Sequence, residues 1–332
     1  MGSVIAVTGG AGYIGAHAVD MLRTAGREVL VIDDLSEGHR GALLGAPLAE
    51  GSLLDRGFLD DVFANNDIGA VFHFAARCLV GESVKKPALY YQQNVVCTMN
   101  LLDAMVAHGT RRFVLSSTAA TYGEPETMPI VEETPQRPVN PYGTTKLACE
   151  QMLREYHTAY GIDSVALRYF NAAGADPEGR LGEDHEHETH LIPLVIGAAL
   201  GHRAGLSVHG GDWDTPDGTC LRDYVHVLDL AQAHILTLEA MENGASGARA
   251  YNLGNSAGTS VLEVIKAVED VGGRPVPHEI GPRRPGDPPV LVASSAAITG
   301  ELGWQPRYGD INTIVKTAWR WHESHPRGFA DA

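Results

Sequence analysis

The sequence predicts an α/β protein built on a doubly wound parallel sheet, and three observations carry that prediction. At the N-terminus a β-branched run passes through closely spaced glycines into an amphipathic helix. A second run, EVLVIDD, closes on the acidic residues Asp33 and Asp34. Further apolar runs at 70–76, 112–118 and 164–171 alternate with helical stretches. Strand alternating with helix is the pattern of parallel strands joined by crossover helices. In such sheets ligands gather at the carboxyl ends of the strands, which here carry Asp33, Ala75, Thr118 and Asn171.

The first element, SVIAVTGGAGYIGAHAVDMLRTAG, reads as strand, tight turn and helix. Gly9, Gly12 and Gly15 let the backbone turn sharply, approach a pyrophosphate and pack helix on strand, while the helix N-terminus offers N–H donors to the anion. Asp33 follows Gly15 by 18 residues. A carboxylate there accepts from adenosine ribose hydroxyls and repels a 2′-phosphate, so the cofactor expected is NAD rather than NADP and the sheet is of the Rossmann type.

The stretch PYGTTK at 141–146 places Tyr142 directly after a proline and four residues before Lys146. Proline suits the first turn of a helix, so Tyr142 opens one, and residues four apart share a helical face. An ordinary phenol is only ~0.1% ionised at neutral pH. A lysine cation and a positive nicotinamide beside it would both favour the phenolate, and Lys146 can also hydrogen-bond the nicotinamide ribose. Thr118 offers a hydroxyl able to relay a proton, so the chemistry expected is removal of a proton and a hydride from one carbinol.

Composition narrows the partners. A chain of 332 residues with 44% hydrophobic content is large enough for well-buried cores. Its net charge of -16 argues against nucleic acid and anionic membrane surfaces, though local arginines can still hold a phosphate. The apolar stretch at 191–200 falls short of the ~18 residues a membrane span needs, and no secretory pattern opens the chain, so a cytoplasmic enzyme is expected. Cys78, Cys97, Cys149 and Cys220 lie far apart without a CxxC pair and read as free thiols. The segment EDHEHETH, with His185, His187 and His190, lacks the HExxH spacing of a zinc-protease helix, so no functional metal is expected. No linker, low-complexity tract or repeat marks a domain break.

Six motifs in order, TGGAGYIG, SSTAATYG, PYGTTK, RYFNAAGA, RDYVHVLDLA and RRPGD, span residues 8–287. With them the chain resembles the extended short-chain dehydrogenase/reductase family, and within it the sugar-nucleotide 4-epimerases. The resemblance implies a reaction without net redox that interconverts UDP-galactose and UDP-glucose. In it Tyr142 takes the 4-hydroxyl proton, tightly held NAD takes the C4 hydride, and the 4-keto sugar swings about its pyrophosphate before hydride returns to the other face. Thr118, Tyr142 and Lys146 are the catalytic residues so implied.

For the cofactor it implies Gly9, Gly12, Tyr13, Ile14, Gly15 and Asp33, then Ser52, Leu53, Phe74, Ala75 and Ala76, and finally Asn94, Ser116, Tyr142, Lys146 and Tyr169. Asn94 has a competing reading as a helix-terminal cap. For the UDP-sugar substrate it implies Arg222 and Arg284 on the diphosphate, Asp287 on the uridine ribose and Asn171 on a phosphate. Leu191 and His209 are placed near the uridine, Phe170 near the sugar, and Thr118, His190 and Leu291 beside them. Guanidinium suits the diphosphate because its planar fork makes paired, charge-assisted hydrogen bonds.

Several positions depart from the family pattern. Ser52 replaces an aspartate that meets adenine, Cys78 a lysine near the nicotinamide ribose, Thr118 a serine and His190 an asparagine. Leu291, intermediate in bulk, stands where side-chain size helps decide whether a 2-acetamido sugar fits. A sugar-nucleotide 4,6-dehydratase would need an Asp-Glu pair where Ala119 and Ala120 stand. A 4-epimerase for UDP-GalNAc or UDP-GlcNAc, a UDP-pentose or UDP-glucuronate, a reductase with free cofactor exchange, and a non-catalytic NAD-binding protein are the other readings.

The expected organisation is an NAD domain over 1–172 and a smaller α/β UDP-sugar domain over 173–332, with the segment about 223–255 packing back on the first. The family also implies a homodimer, in which helices around 88–108 and 142–160 meet their copies in a four-helix bundle.

Overall fold

The computed structural model describes residues 3–284 and 287–329, so Pro285 and Gly286 of the RRPGD motif lie outside the described residues. The first half contributes β1 (Val4–Thr8), α1 (Tyr13–Thr24), β2 (Val29–Asp33), β3 (Leu48–Glu50), α2 (Arg56–Asn65) and β4 (Ile68–His73). It continues with α3 (Val80–Lys85), α4 (Pro87–Tyr90), a π-helical turn (Tyr91–Val96), α5 (Cys97–His108), β5 (Arg112–Ser116), α6 (Pro141–Tyr160) and β6 (Asp163–Arg168). After these come β7 (Asn171–Ala173), α7 (Leu191–Ala199), β8 (Leu206–His209), β9 (Leu221–Arg222), β10 (Tyr224–His226), α8 (Val227–Glu242) and β11 (Ala248–Asn252). The chain closes with β12 (Thr259–Ser260), α9 (Val261–Gly272), β13 (His278–Gly281), β14 (Val290–Leu291), α10 (Ala296–Leu302) and α11 (Ile311–Ser324).

Seven strands form one parallel sheet in the order β3-β2-β1-β4-β5-β6-β11. The chain begins at β1, winds outward to β3, then returns to place β4 on the other flank of β1. That reversal opens a crevice above β1 and β4, where doubly wound sheets bind their ligands. The central strands carry continuous apolar runs because both faces are covered. On one face Val7, Phe72 and Val114 pack against Val19 and Leu22 of α1 and Leu230 and Leu238 of α8. On the other, Ala6, Val71 and Leu115 pack against Leu59 of α2, Leu101 and Met105 of α5, and Leu153 of α6.

A third apolar cluster joins α7, α9 and α11 through Ile192, Val195, Val264, Val268, Val315 and Trp319. Three small sheets flank it: β7 with β10, β8 with β13, and β9 between β12 and β14. Among the described residues no helix is long and apolar enough to cross a membrane.

The apolar run at 164–171 divides into two strands. β6 stops at Arg168; Tyr169 O then accepts from Ala119 N at 3.0 Å, and Asn171 opens a separate ladder opposite Tyr224. The runs at 70–76 and 112–118 likewise leave the sheet at His73 and Ser116. Ala75 and Thr118 therefore stand in the crossover mouths just beyond strand ends, and Asn171 opens the next short strand.

Candidate active site

The glycine turn is shaped by steric limits that only glycine meets at two places. Gly9 has φ +71°, and a Cβ there would lie 2.5 Å from Ala75 N; a Cβ on Gly15 would lie 2.1 Å from Gly9 O. Gly12 is the N-cap of α1 and supplies no side-chain cap, so the first N–H groups of the helix point into the crevice without an internal acceptor at that position. Asp33 accepts from Ala11 N at 3.0 Å and Leu35 N at 2.9 Å, which fixes its carboxylate at the rim; burial holds its carboxyl above the usual range. A Cβ-free cradle at a helix N-terminus, with a carboxylate beside it, fits a dinucleotide pyrophosphate and adenosine ribose.

The remaining cofactor candidates surround this cradle in different ways. Phe74 N and Ala75 N both donate to Thr8 O, and Ala76 follows in the same half-buried loop. Ile14 packs into the sheet core, while the Tyr13 hydroxyl donates to Gly174 O at 2.5 Å and ties the cradle to the chain after β7. Ser52 Oγ accepts from Leu54 N at 3.3 Å beside buried Leu53. Ser116 Oγ and the Tyr169 hydroxyl hydrogen-bond each other. Asn94 is no terminal cap: it sits within the π-helical turn, where its amide donates to Arg77 O and Thr145 Oγ1 and accepts from Arg77 N. It ties the loop after β4 to the helix carrying Tyr142.

Helix α6 starts where the sequence places it, with Pro141 in the first turn and Asn140 Oδ1 accepting from Gly143 N at 2.9 Å. Tyr142 and Lys146 therefore share a face next to β5. Lys146, 3% exposed, donates to Ser116 O at 2.8 Å, and burial lowers its pKa. Burial also pushes the Tyr142 phenol well above its usual range, and the hydrogen bond from Thr118 pulls it only partly back. Burial therefore keeps Tyr142 protonated at neutral pH in the protein alone; the nicotinamide charge that would favour the phenolate together with Lys146 acts only once NAD is bound. Cys78 lies within electrostatic reach of both Tyr142 and Lys146, which places the substituted lysine position against the catalytic pair.

Beneath Thr118 lies a buried network absent from the sequence reading. Arg168 makes a two-pronged pair with Glu150, Nε to Oε1 at 2.9 Å and Nη2 to Oε2 at 2.7 Å. Glu150 also accepts from Ser117 Oγ at 2.6 Å, and Tyr122 joins Arg168 to Asn252. These residues lie far apart in sequence, and no short motif announces them. Cross-pairing of buried charges is what fixes the loop that carries Thr118.

Most of the substrate candidates converge. Arg222 Nη2 pairs with Asp287 Oδ1 at 2.5 Å, and Leu291 faces Arg222 across the β14–β9 ladder. Arg222, Asp287 and Arg284 all act electrostatically on Cys220, a buried thiol that sequence reasoning left without a role. The Asn171 amide donates to Asp223 O at 2.8 Å, next to Arg222. Phe170 packs on Ala119 and Tyr122 close to the catalytic threonine. Leu191 opens α7 against the third apolar cluster, and His190 is its N-cap. His209 and Arg284 are exposed; His209 ends β8, opposite Gly281 of β13.

The segment 183–190 brings Glu183, His185, Glu188 and His190 together, with one ligand atom from each within 4.8 Å of all the others. His187 is exposed and takes no part. Glu183 chiefly holds the His190 imidazole up at about 9; burial opposes a rise at His185, but Glu188 and Glu183 hold it above its usual value.

A phenol and an ammonium on one helical face, a threonine at the adjacent strand end and a glycine cradle above the sheet crossover define an enzyme of the dinucleotide-dependent, short-chain type. The sequence profile of the NAD dependent epimerase/dehydratase family matches residues 5–254. A UDP-glucose 4-epimerase of Halalkalibacterium halodurans is 52% identical over 98% of this chain and 97% of its own length. A solved UDP-glucose 4-epimerase structure superposes with TM-score 0.97 at 50% identity, covering 98% of this chain and 99% of that one. The Bifidobacterium longum UDP-glucose 4-epimerase, solved with NAD+ and UDP, gives TM-score 0.92 at 39% identity over 98% of this chain and all of its own. The chain belongs to the NAD dependent epimerase/dehydratase family.

Proposed function

We propose that this chain is an NAD-dependent isomerase that interconverts UDP-galactose and UDP-glucose by inverting C4 through a transient 4-keto sugar. The observation that carries the reading is that Tyr142 and Lys146 of α6 meet Thr118 just beyond the end of β5, with Arg222 and Asp287 gathered separately. The cradle and Asp33 would hold NAD, which would supply the hydride acceptor and a positive charge that favours the phenolate. Tyr142 holds the 4-hydroxyl proton between its removal and its return, and Thr118 relays it between phenol and sugar oxygen. Lys146, anchored on Ser116 O, fixes the ribose side of the site. Arg222 and Arg284 grip the diphosphate and Asp287 the uridine ribose, so the sugar can turn while the nucleotide stays held. Asn171, Phe170, His190, Leu191, His209 and Leu291 line the rest of the substrate path.

The alternative within the same family is elimination of water. Ala119 and Ala120, in the 3-10 turn after Thr118, supply no acid–base pair for it. The UDP-glucose 4-epimerases at about half identity over nearly the full chain support the UDP-hexose substrate, and UDP-N-acetylhexosamines, UDP-pentoses and UDP-glucuronate are its competitors. The reading places the enzyme in galactose metabolism and in the cytoplasm, where its unpaired cysteines suit a reducing compartment. It divides the chain into an NAD domain to residue 172 and a UDP-sugar domain beyond it, with the segment about 223–255 returning to the first sheet, as the packing of Leu230 and Leu238 favours. Exposed Tyr91 and Met99 before and on α5, and Tyr160 at the end of α6, suit a homodimer through a four-helix bundle.

Proton NMR of UDP-galactose with the purified protein, with and without added NAD, tests the reading. Conversion to UDP-glucose that stops in Tyr142→Phe supports it. No conversion of any of these UDP-sugars, with a protein that still binds NAD, would leave a non-catalytic NAD-binding protein instead.

A further inference from the structure

We infer that Glu183, His185, Glu188 and His190 form a four-coordinate site for a divalent d-block cation, with zinc as the best match. Glu183 is 4% exposed, and a carboxylate that deep must be paired with a cation or with strong donors. His190 supplies that partner while it keeps its proton; once both imidazoles give up their protons, the two carboxylates carry a charge that a dication cancels.

Geometry narrows the ion. Bonds of 2.0–2.1 Å from zinc to nitrogen and oxygen place tetrahedral donors about 3.3 Å apart. Two pairs of donors already stand near that spacing: His185 Nδ1 is 3.2 Å from Glu188 Oε2 and 3.5 Å from Glu183 Oε1. His190 Nδ1 and Glu183 Oε1 are in hydrogen-bond contact and would separate to admit the ion. The two imidazole rings stand edge to face, 5.3 Å apart at 80°, so their Nδ1 atoms approach one centre from different directions. Magnesium and calcium favour all-oxygen shells, whereas imidazole with carboxylate suits zinc and its neighbours.

The surroundings hold these ligands in place. Glu188 Oε1 accepts from Thr189 N and His190 N at 2.7 Å each, which leaves Oε2 facing His185. Trp321 Nε1 donates to Glu183 O at 3.2 Å, and Phe329 N donates to Asp184 Oδ2 at 2.8 Å. With four protein ligands the site is closed, so its role is structural. The cation would pin the irregular segment between β7 and α7 beside Tyr13 of the glycine turn, whose phenol feels both Glu183 and Glu188. Binding releases protons from the imidazoles, so affinity falls on acidification.

The test uses full-length protein without a histidine tag, stripped by chelator and checked by circular dichroism. After dialysis against excess Zn2+, metal analysis is expected to find one zinc per chain, and calorimetric titration with Zn2+ one matching site. The double variant His185→Ala/Glu188→Gln is expected to weaken Zn2+ by at least roughly 100-fold, the upper end of the loss for removing a mere supporting partner. His187→Ala, in the same segment but outside the cluster, is expected to bind as the parent does. Substoichiometric zinc in the parent, or equal loss in His187→Ala, would overturn the site. Should the double variant not fold, Co2+ in the parent decides: the visible bands of a tetrahedral site support the proposal and an octahedral spectrum refutes it.

Discussion

The glycine cradle and the Arg222–Asp287 corner are held by different physics. In the cradle, position follows from backbone: Gly9 and Gly15 have no room for a Cβ, and Asp33 takes two backbone N–H groups. In the corner, position follows from side chains meeting across 65 residues of sequence on strands of two residues each or just beyond them. Backbone shape writes itself into short motifs, because only certain residues permit it. Charge pairing between distant short strands leaves a sequence that looks like ordinary surface. The difference explains why the cofactor side can be argued from residues alone while the nucleotide side leans on resemblance.

The hardest test of that contrast lies under Thr118. If backbone shape alone held the cofactor side, Glu150→Ala would be mild. Glu150 and Arg168 have side chains only 1% and 5% exposed, so removing one partner strands a buried charge. The expected loss is about 3–5 kcal/mol of stability, read from the denaturant midpoint. A loss under about 1 kcal/mol would show that water or another group takes over the guanidinium.

Arg222→Ala should sort the corner into function rather than stability. Its pair with Asp287 is partly exposed, so the melting temperature should barely move. Losing a charged hydrogen bond to a diphosphate costs about 1.5–3 kcal/mol, so UDP should bind roughly 10- to 100-fold more weakly by calorimetry. Unchanged UDP affinity would remove Arg222 from the substrate site.

The glycines sharpen the cradle side. A Cβ on Gly15 collides with Gly9 O, while on Gly12 the nearest heavy atom is 3.4 Å away. Gly15→Ala should therefore lose about 1–3 kcal/mol of stability from overpacking, read as a lowered melting temperature. Gly12→Ala should melt almost as the parent does yet retain less NAD through gel filtration, because its crowding is with the pyrophosphate. Equal effects in both would deny Gly12 that ligand-facing role.

What was legible follows the same division. Pro141 after Asn140 announces the helix of Tyr142 and Lys146, and the glycine spacing announces the cradle. The run at 164–171 misleads because hydrophobicity persists while the hydrogen-bond partner changes from β5 to β10 at Tyr169. The helical HExxH spacing is absent from segment 183–190, yet an irregular loop brings His185 and His190 together without it, a convergence that no sequence spacing announces. Around Tyr142 the sequence shows the charges that favour the phenolate but not the desolvation that opposes it, because burial belongs to the fold and not to the pair.

The smallest effect is a pH slope on the cradle side. His73 lies under the catalytic face with Nδ1 2.6 Å from Thr8 Oγ1 and Nε2 3.0 Å from Thr98 Oγ1. Burial first, and then Lys146, lower its pKa to about 3. His234, packed on Phe74 of the same region, is lowered to about 4 by burial. Below pH 6.5 the unfolded chain binds these protons and the folded chain does not, so their contribution is complete above that pH and is lost as pH falls toward 3. Each such histidine adds a slope of at most about 1.4 kcal/mol per pH unit. His73→Gln keeps an amide donor and acceptor for the two threonines but cannot take the proton. Between pH 6.5 and 5 its unfolding free energy should therefore fall less steeply than the parent's, by up to that one-histidine slope. Equal slopes would mean that the folded protein admits the proton at His73, and that the cradle side owes its acid sensitivity to other buried histidines such as His234 and His17.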